Sequence, residues 1–173
     1  IYHSKLGKQS PMHILVVRNN SNPQAVDASL LLTAYLTSQG IEALLVDSSS
    51  LGTDAGRRDV RAQLPGQLAL VVVLGGDGTL NAVLNGMLHR ALRTPITYLP
   101  AGTTNDFAQT LGIQKHLLDP YKSFTETEDR LIDAGKFGDG YFSYVASFGL
   151  FTKCSYATPR TMKRLLGHFA YVL

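Results

Sequence analysis

Short apolar runs recur along the first two thirds of the chain, and each gives way to a polar turn. His13 to Val17 (HILVV), Ala43 to Val46, Leu68 to Leu74 (LALVVVL) and Ile96 to Leu99 have the length and composition of buried strands. Between them the period changes to that of a helix. Pro23 suits the first turn of a helix running to Gly40, a residue that can take the left-handed stop. Asp54 to Leu64 reads as a charged, half-exposed helix ended by Pro65-Gly66. After the turn Gly75-Gly76-Asp77-Gly78-Thr79, the residues Leu80, Val83, Leu84, Met87 and Leu88 recur at helical spacing. A further helix runs through Phe107 and Leu111. Strand alternating with helix predicts an α/β fold with a parallel sheet, helices on both faces and the Leu68–Leu74 strand at the centre.

The rhythm breaks after about Asp119. Leu131 to Phe137 and Tyr141 to Phe148 are β-rich and separated by Gly138-Asp139-Gly140, a hairpin signal. The expected organisation is an α/β domain over residues 12–125, followed over 126–173 by the beginning of an antiparallel β domain cut short. Two strands are too few for an independent sheet domain. The final segment carries Met162, Leu165, Leu166, Phe169 and Leu173 on one helical face after Thr158-Pro159, with Arg160, Lys163, Arg164 and His168 elsewhere. At the other end, Ile1 to Pro11 is polar, aperiodic and lacks the apolar stretch of a signal peptide. Met12 is expected to be the biological start, with residues 1–11 a tag remnant; the alternative is a short native arm.

Composition narrows the class without naming a function. Among 173 residues, 45% are hydrophobic, ordinary for a globular protein. Sixteen Lys and Arg against thirteen Asp and Glu leave +3, too little to indicate a nucleic-acid partner. No apolar run approaches the ~20 residues of a membrane span. The lone Cys154 excludes an internal disulfide framework and any multi-cysteine metal site, and fits a reducing cytoplasmic setting. His3, His13, His89, His116 and His168 are scattered and read as surface or packing residues.

Two strand-to-helix turns concentrate the chemistry. In a parallel sheet both open at the carboxyl ends of the strands, the usual ligand edge. Gly75, Gly76 and Gly78 let backbone N–H groups approach an anion, and the helix starting near Thr79 adds the partial positive charge of its N-terminus. Thr79 has a hydroxyl for a phosphate or for capping the helix. Asp77 would repel phosphate by itself. It makes sense if it holds a metal, or orients or deprotonates an attacking hydroxyl. The alternative is a tight turn with a capping Asp. Gly102, Thr103, Thr104, Asn105 and Asp106 repeat the same chemistry on the next strand, though Asn105 and Asp106 also suit plain helix capping. The P-loop, the dinucleotide glycine fingerprint, the Gly-x-Ser-x-Gly elbow and His-Glu-x-x-His are all missing.

GGDGTLNAVLNG (Gly75 to Gly86) together with PAGTTNDFA (Pro100 to Ala108) resembles the bacterial diacylglycerol kinase family of lipid kinases. The segment Val145 to Tyr171 is similar to the opening of that family's second domain. GGDGT alone is shared with NAD kinases and phosphofructokinase-like enzymes; the combination with the second loop is far more specific. The resemblance implies a Rossmann-like, three-layer nucleotide-binding domain and Mg2+-dependent transfer of the ATP γ-phosphate to a lipid hydroxyl, most simply diacylglycerol, at the inner face of the membrane. By the same resemblance, Gly75, Gly76, Asp77, Gly78, Thr79 and Asn81 match the nucleotide loop, and Gly102, Thr103, Asn105 and Asp106 the second loop. Asn19 and Ser21 fall on the family's first-strand turn and Ser48 on a hydroxyl after the second strand. Asp77 is the catalytic candidate, with orienting the nucleotide as the equal alternative, and the metal ligands stay unassigned.

The sequence departs from the family in three places. Ala82 replaces the usual Glu after the loop asparagine, the first turn reads Asn19-Asn20-Ser21-Asn22-Pro23, and the family's acidic metal-site residues and general base would lie beyond Leu173. The reading is therefore weighed against a non-catalytic nucleotide-binding fragment, an NAD kinase-like soluble enzyme and a structural α/β domain without ligand. For the basic, apolar tail the alternatives are packing on the rest of the protein, contact with anionic lipid, and homodimerisation.

Overall fold

The structure, a computed structural model, describes residues 13–64, 68–113, 119, 122 and 129–144. Strand β1 (His13–Arg18) is followed by α1 (Pro23–Ser38), β2 (Glu42–Asp47), a 3₁₀ turn (Ser48–Gly52) and α2 (Asp54–Gln63). Then come β3 (Leu70–Gly75), α3 (Asp77–Leu88), β4 (Ile96–Pro100), α4 (Asp106–Thr110) and a hairpin of β5 (Gly135–Phe137) and β6 (Gly140–Phe142). The first four strands form one sheet in the order β2-β1-β3-β4, parallel throughout. β5 and β6 pair antiparallel in a separate sheet.

The core follows from strand alternation. Ile14, Val16, Val72, Leu74 and Leu99 point to one face and meet Ala25, Ala28, Leu32 and Leu36 of α1. Leu15, Val17, Val71 and Val73 point to the other, against Val60 of α2, Leu80, Val83 and Met87 of α3, and Phe107 of α4. β3 is apolar on both sides because both sides are covered, which is why its sequence shows no alternation. α1 runs from β1 toward β2 on one face, while α3 runs from β3 toward β4 on the other. The loops after β1 and β3 therefore diverge and leave a crevice at the carboxyl edge of the sheet.

Several boundaries differ from expectation, and the differences have causes. The carbonyl of Gly76 accepts the N–H groups of Thr79 at 3.0 Å and Leu80 at 3.1 Å, so Asp77, Gly78 and Thr79 form the first turn of α3 and do not precede it. Thr79 is consequently buried inside the helix start and does not cap it. The strand expected from Leu131 forms only from Gly135, with Leu131 fully exposed at 105%. The ladder begins where Gly135 faces Phe142: a Cβ there would lie 2.2 Å from the Phe142 ring, so the pair closes only over glycine. Of the expected strand Tyr141–Phe148, Tyr141 and Phe142 pair and residues 145–148 lie outside the described residues. The leader 1–11, Met12, Cys154, the terminal helical segment and most of the region around the expected domain boundary also lie outside them.

Candidate nucleotide site

The two glycine-rich loops meet as one structure. Ala101 N–H donates to the Gly75 carbonyl at 2.8 Å, extending the β3–β4 ladder past Pro100 into the second loop. The backbones then pass so closely that a Cβ on Gly102 would fall 2.5 Å from the Gly76 Cα, and one on Gly76 would fall 3.1 Å from the Gly102 Cα. A Cβ on Gly75 would strike the Thr79 hydroxyl at 2.5 Å. At Gly78, by contrast, the space is open, and this exposed glycine lies in the first turn of α3. No side chain caps that helix. Its first N–H groups and positive dipole end lie between Gly76 and Gly78, the setting of an anion cradle, with the Asp77 carboxylate beside it.

Asn105 braces the second loop. It takes a left-handed conformation (φ 51°), is 2% exposed, and its amide closes a ring on Gly102: Gly102 N–H donates to Oδ1 at 2.7 Å, and Nδ2 donates to the Gly102 carbonyl at 2.8 Å. Its side chain therefore shapes the loop and does not cap α4. That capping falls to Asp77. Its Oδ2 accepts the N–H of Asp106, the first residue of α4, at 2.9 Å, and its Oδ1 accepts the Tyr98 hydroxyl at 3.2 Å. Asp77 thus ties β3, β4 and α4 together at the mouth of the site. Burial first, then the charge of Asp77 and its hydrogen bond, push the Tyr98 phenol well above the ordinary tyrosine range. It stays protonated as the donor Asp77 needs.

The first turn joins the arrangement through a residue the sequence reading did not select. Asn22 caps α1, accepting from Gln24 N–H at 2.9 Å and Ala25 N–H at 3.3 Å, while its Nδ2 donates to the Ala101 carbonyl. Asn19 N–H donates to the Leu74 carbonyl at 3.0 Å, and Asn19 Oδ1 accepts Ser21 N–H at 3.0 Å, an Asx turn that shapes the loop. Arg18, at the end of β1, turns its guanidinium to Asn20 Oδ1 at 2.6 Å and to the buried Ser29 hydroxyl at 2.8 Å. Ser48 opens the 3₁₀ turn after the edge strand β2, a turn that packs against α3. Asn81 and Thr103 are exposed. Gly75, Gly76, Asp77, Gly78, Thr79, Gly102, Asn105 and Asp106 are therefore gathered in one place, with Asn19 alongside. Tyr98 and Asn22 carried no local signal, because their partners lie 21 and 79 residues away in the chain.

The donor set fits a phosphate-bearing ligand, since glycines, helix N–H groups and amides line the cradle. Among the described residues no group of three or more His, Cys, Asp and Glu is placed to hold a metal. Asp77 and Asp106 are the carboxylates at hand, and Mg2+ at such sites takes one or two carboxylates plus phosphate oxygens. Among the described residues no helix is long and apolar enough to cross a membrane.

Comparison with known proteins agrees with this geometry. "Diacylglycerol kinase" of Staphylococcus aureus strain JH9 is 36% identical over 104 residues, covering 60% of this chain and 33% of that protein. The enzyme of the same name from strain Newman matches equally. The chain thus spans about a third of the length of these curated relatives. The crystal structure of a diacylglycerol kinase from Bacillus anthracis str. Sterne superposes with a TM-score of 0.58 at 20% identity, over 79% of this chain and 47% of that one. It shares the fold. The profile of the family described as the diacylglycerol kinase catalytic domain matches residues 13–137, which contain the whole sheet, both glycine-rich loops and Asp77. The two loops that the structure joins at one sheet edge are thus two motifs of one family, and the chain belongs to the diacylglycerol kinase catalytic domain family.

Proposed function

We propose that the chain supplies the nucleotide-binding part of an ATP-dependent lipid kinase that transfers the γ-phosphate to a lipid hydroxyl, with diacylglycerol as acceptor and phosphatidic acid as product. The observation that carries this reading is the joined pair of loops over an uncapped helix start, with Asp77 fixed at their mouth. The phosphates would lie over Gly76 to Gly78, where clearance and helix N–H groups coincide. Gly75 and Thr79 set the floor, Asn81 lines the exposed side of α3, and Gly102, Thr103, Asn105 and Asp106 form the facing wall. Asn19, Ser21 and Ser48 border the crevice from the β1 and β2 ends.

Asp77 is the residue assigned to chemistry. Each of its oxygens already receives one hydrogen bond and keeps lone-pair capacity for another partner. It is a carboxylate held still, suited to orienting a hydroxyl or a Mg2+ ion against the phosphates. Phosphoryl transfer needs positioning and charge neutralisation more than covalent help, and positioning is the part a fixed carboxylate supplies. Bound ATP would supply the phosphoryl group and Mg2+ would neutralise its charge. The lipid acceptor places the reaction at a membrane surface, the cytoplasmic face of the inner membrane in this reading. The basic, apolar tail with Arg160, Lys163 and Arg164 is the segment proposed to meet anionic headgroups. The relatives named diacylglycerol kinase support the acceptor assignment.

The test is transfer of labelled γ-phosphate from Mg-ATP to diacylglycerol in mixed micelles, with Asp77→Asn as control. Labelled phosphatidic acid that disappears in the control is the expected result. Product formed equally by the variant would remove Asp77 from the reaction. Protein that gains thermal stability from ATP yet forms no product would favour the second reading, nucleotide binding without turnover, for which Ala82 in place of a carboxylate speaks.

A further inference from the structure

The glycine-rich motif extends past its loop to Asn85 and Gly86, and Asn85 touches the residues assigned to the nucleotide only through Asn81. Asn85 lies two turns along α3 from Asp77, at the other end of the same helix. Its amide meets the backbone of Tyr141 at two points: Tyr141 N–H donates to Oδ1 at 2.8 Å, and Nδ2 donates to the Tyr141 carbonyl at 2.7 Å. Nδ2 also donates to the Asn81 carbonyl at 2.9 Å, and Asn81 Oδ1 lies 3.4 Å from it. A peptide unit of a neighbouring strand would present the same donor and acceptor. The amide therefore stands in for a third strand beside β6.

The hairpin needs such a partner. Each of its strands has three residues, and Phe137 is 73% exposed, so little apolar surface seats it. A two-stranded hairpin alone is marginal in water. Around the contact, His89, which follows the last residue of α3, meets the Tyr141 ring edge-on at 5.2 Å, and Lys136 of β5 places Nζ 5.8 Å from the ring centre.

We propose that Asn85 is a positioning residue whose amide fixes the β5–β6 hairpin against α3, and through that helix sets the hairpin's place relative to the glycine-rich loops. An α-helix of this length transmits orientation as a rod of about 18 Å. The part of the inference that concerns phosphate transfer rests on the kinase reading; the clamp itself does not.

The distinguishing variant is Asn85→Asp. A carboxylate still accepts from Tyr141 N–H, but its second oxygen faces the Tyr141 carbonyl without a proton between them. The protonated acid has the shape and the donor of the amide. The carboxyl is thus held protonated in the docked state, above its unfolded value, and docking is present at low pH and lost as pH rises. The experiment follows the protection factor of the Tyr141 amide by hydrogen exchange in the full chain, in wild type, Asn85→Ala and Asn85→Asp. It runs from about pH 4.5 to 7.5, a window above the unperturbed Asp value near 3.9. Protection factors remove the intrinsic pH dependence of exchange. His89, Lys136 and the Tyr141 phenol are the other titratable groups facing the contact, and the wild-type profile over the same window is the reference that subtracts their contribution. Expected are a loss of protection of about tenfold in Asn85→Ala at all pH, from two missing hydrogen bonds, and a loss in Asn85→Asp that grows with pH. Equal protection in wild type and Asn85→Ala, or a pH-independent Asn85→Asp, overturns the clamp.

Phosphate transfer by Asn85→Ala is measured alongside, with a fall in kcat and an unchanged KM for ATP expected. Undiminished kcat with a released hairpin overturns the positioning role. A wild-type chain that transfers nothing but shows the Tyr141 changes overturns the kinase reading and confirms the clamp.

Discussion

Gly102→Ala puts the joining of the two loops to its most direct test. The new Cβ would stand 2.5 Å from the Gly76 Cα, 2.6 Å from Asn105 Oδ1 and 3.2 Å from the Gly76 nitrogen. Neither obstacle can swing aside: one is backbone, and the other is an amide held by two bonds to Gly102 itself. Gly102 does not take a left-handed conformation, so the penalty is contact and not backbone strain. Reaching ordinary carbon–carbon separation requires the loops to part by roughly 1 Å. Overpacking of this kind costs about 1–3 kcal/mol. At about 2–4 °C per kcal/mol for a chain of this size, the melting temperature should fall by roughly 2–12 °C. Gly78→Ala is the matched control, since its Cβ meets nothing within 4 Å. It should melt with the wild type or slightly above it while blocking phosphate. The assay is thermal unfolding of the three proteins with and without Mg-ATP. Ligand at 100 times its Kd adds about 2.7 kcal/mol to the wild type, and both variants should lose most of that gain. A Gly102→Ala protein melting with the wild type would refute the close approach of the loops. Full ATP stabilisation of Gly78→Ala would refute the placement of phosphate over the helix start.

Asp77→Asn should fold, because the amide can keep its oxygen on Asp106 N–H and turn its nitrogen to the Tyr98 hydroxyl. Its turnover in the micelle assay should fall by on the order of 10² or more, with a small change in ATP affinity measured by calorimetry. Tyr98→Phe should cost about 1 kcal/mol at neutral pH through the lost hydrogen bond. Because the folded protein keeps Tyr98 neutral beyond the ordinary range, the stability it contributes is complete below about pH 10 and is lost as pH rises further. The gap between wild type and Tyr98→Phe should therefore narrow in denaturant titrations above that pH, and a constant gap would refute the account. Asn105→Ala should cost about 2–4 kcal/mol, from two hydrogen bonds lost inside the fold and a non-glycine residue left at positive φ, as read by urea unfolding.

The parallel sheet was legible because its signal is local. Val71, Val72, Val73 and Leu74 form an unbroken apolar run, and only a strand covered on both faces can bury one. The alternation of such runs with helical periods then leaves few topologies. The glycine-rich loops were legible for the same reason, as compact clusters of residue types with narrow uses. What joins them was not. Tyr98 reads as one more aromatic strand residue, and its role exists only because β4 pairs with β3 and brings it over Asp77. Asn22 caps α1, and its second bond crosses to Ala101, far along the chain. Gly-Gly-Asp-Gly is punctuation in sequence terms and puts the helix start near Thr79; the backbone begins its helix at Asp77, one residue after Gly76. The hairpin was overextended because β-rich composition sets no limit on pairing, whereas ladder length depends on what stands opposite.

Apart from the strut from Asn22 and the turn at Asn19, the contacts that join the two glycine-rich loops fall within the stretch from Gly75 to Asp106, a single strand–helix–strand excursion and the start of the next helix. Closing a segment of that length carries a modest entropic cost, and contacts of short sequence separation tend to form early. The site should accordingly mature with the β3–β4 pairing and not wait for β2, which joins at the opposite edge of the sheet. Refolding followed by pulsed exchange would then show the Gly102 and Asp106 amides protected before those of β2, so that the cradle is laid down ahead of the flank of the sheet that completes the domain.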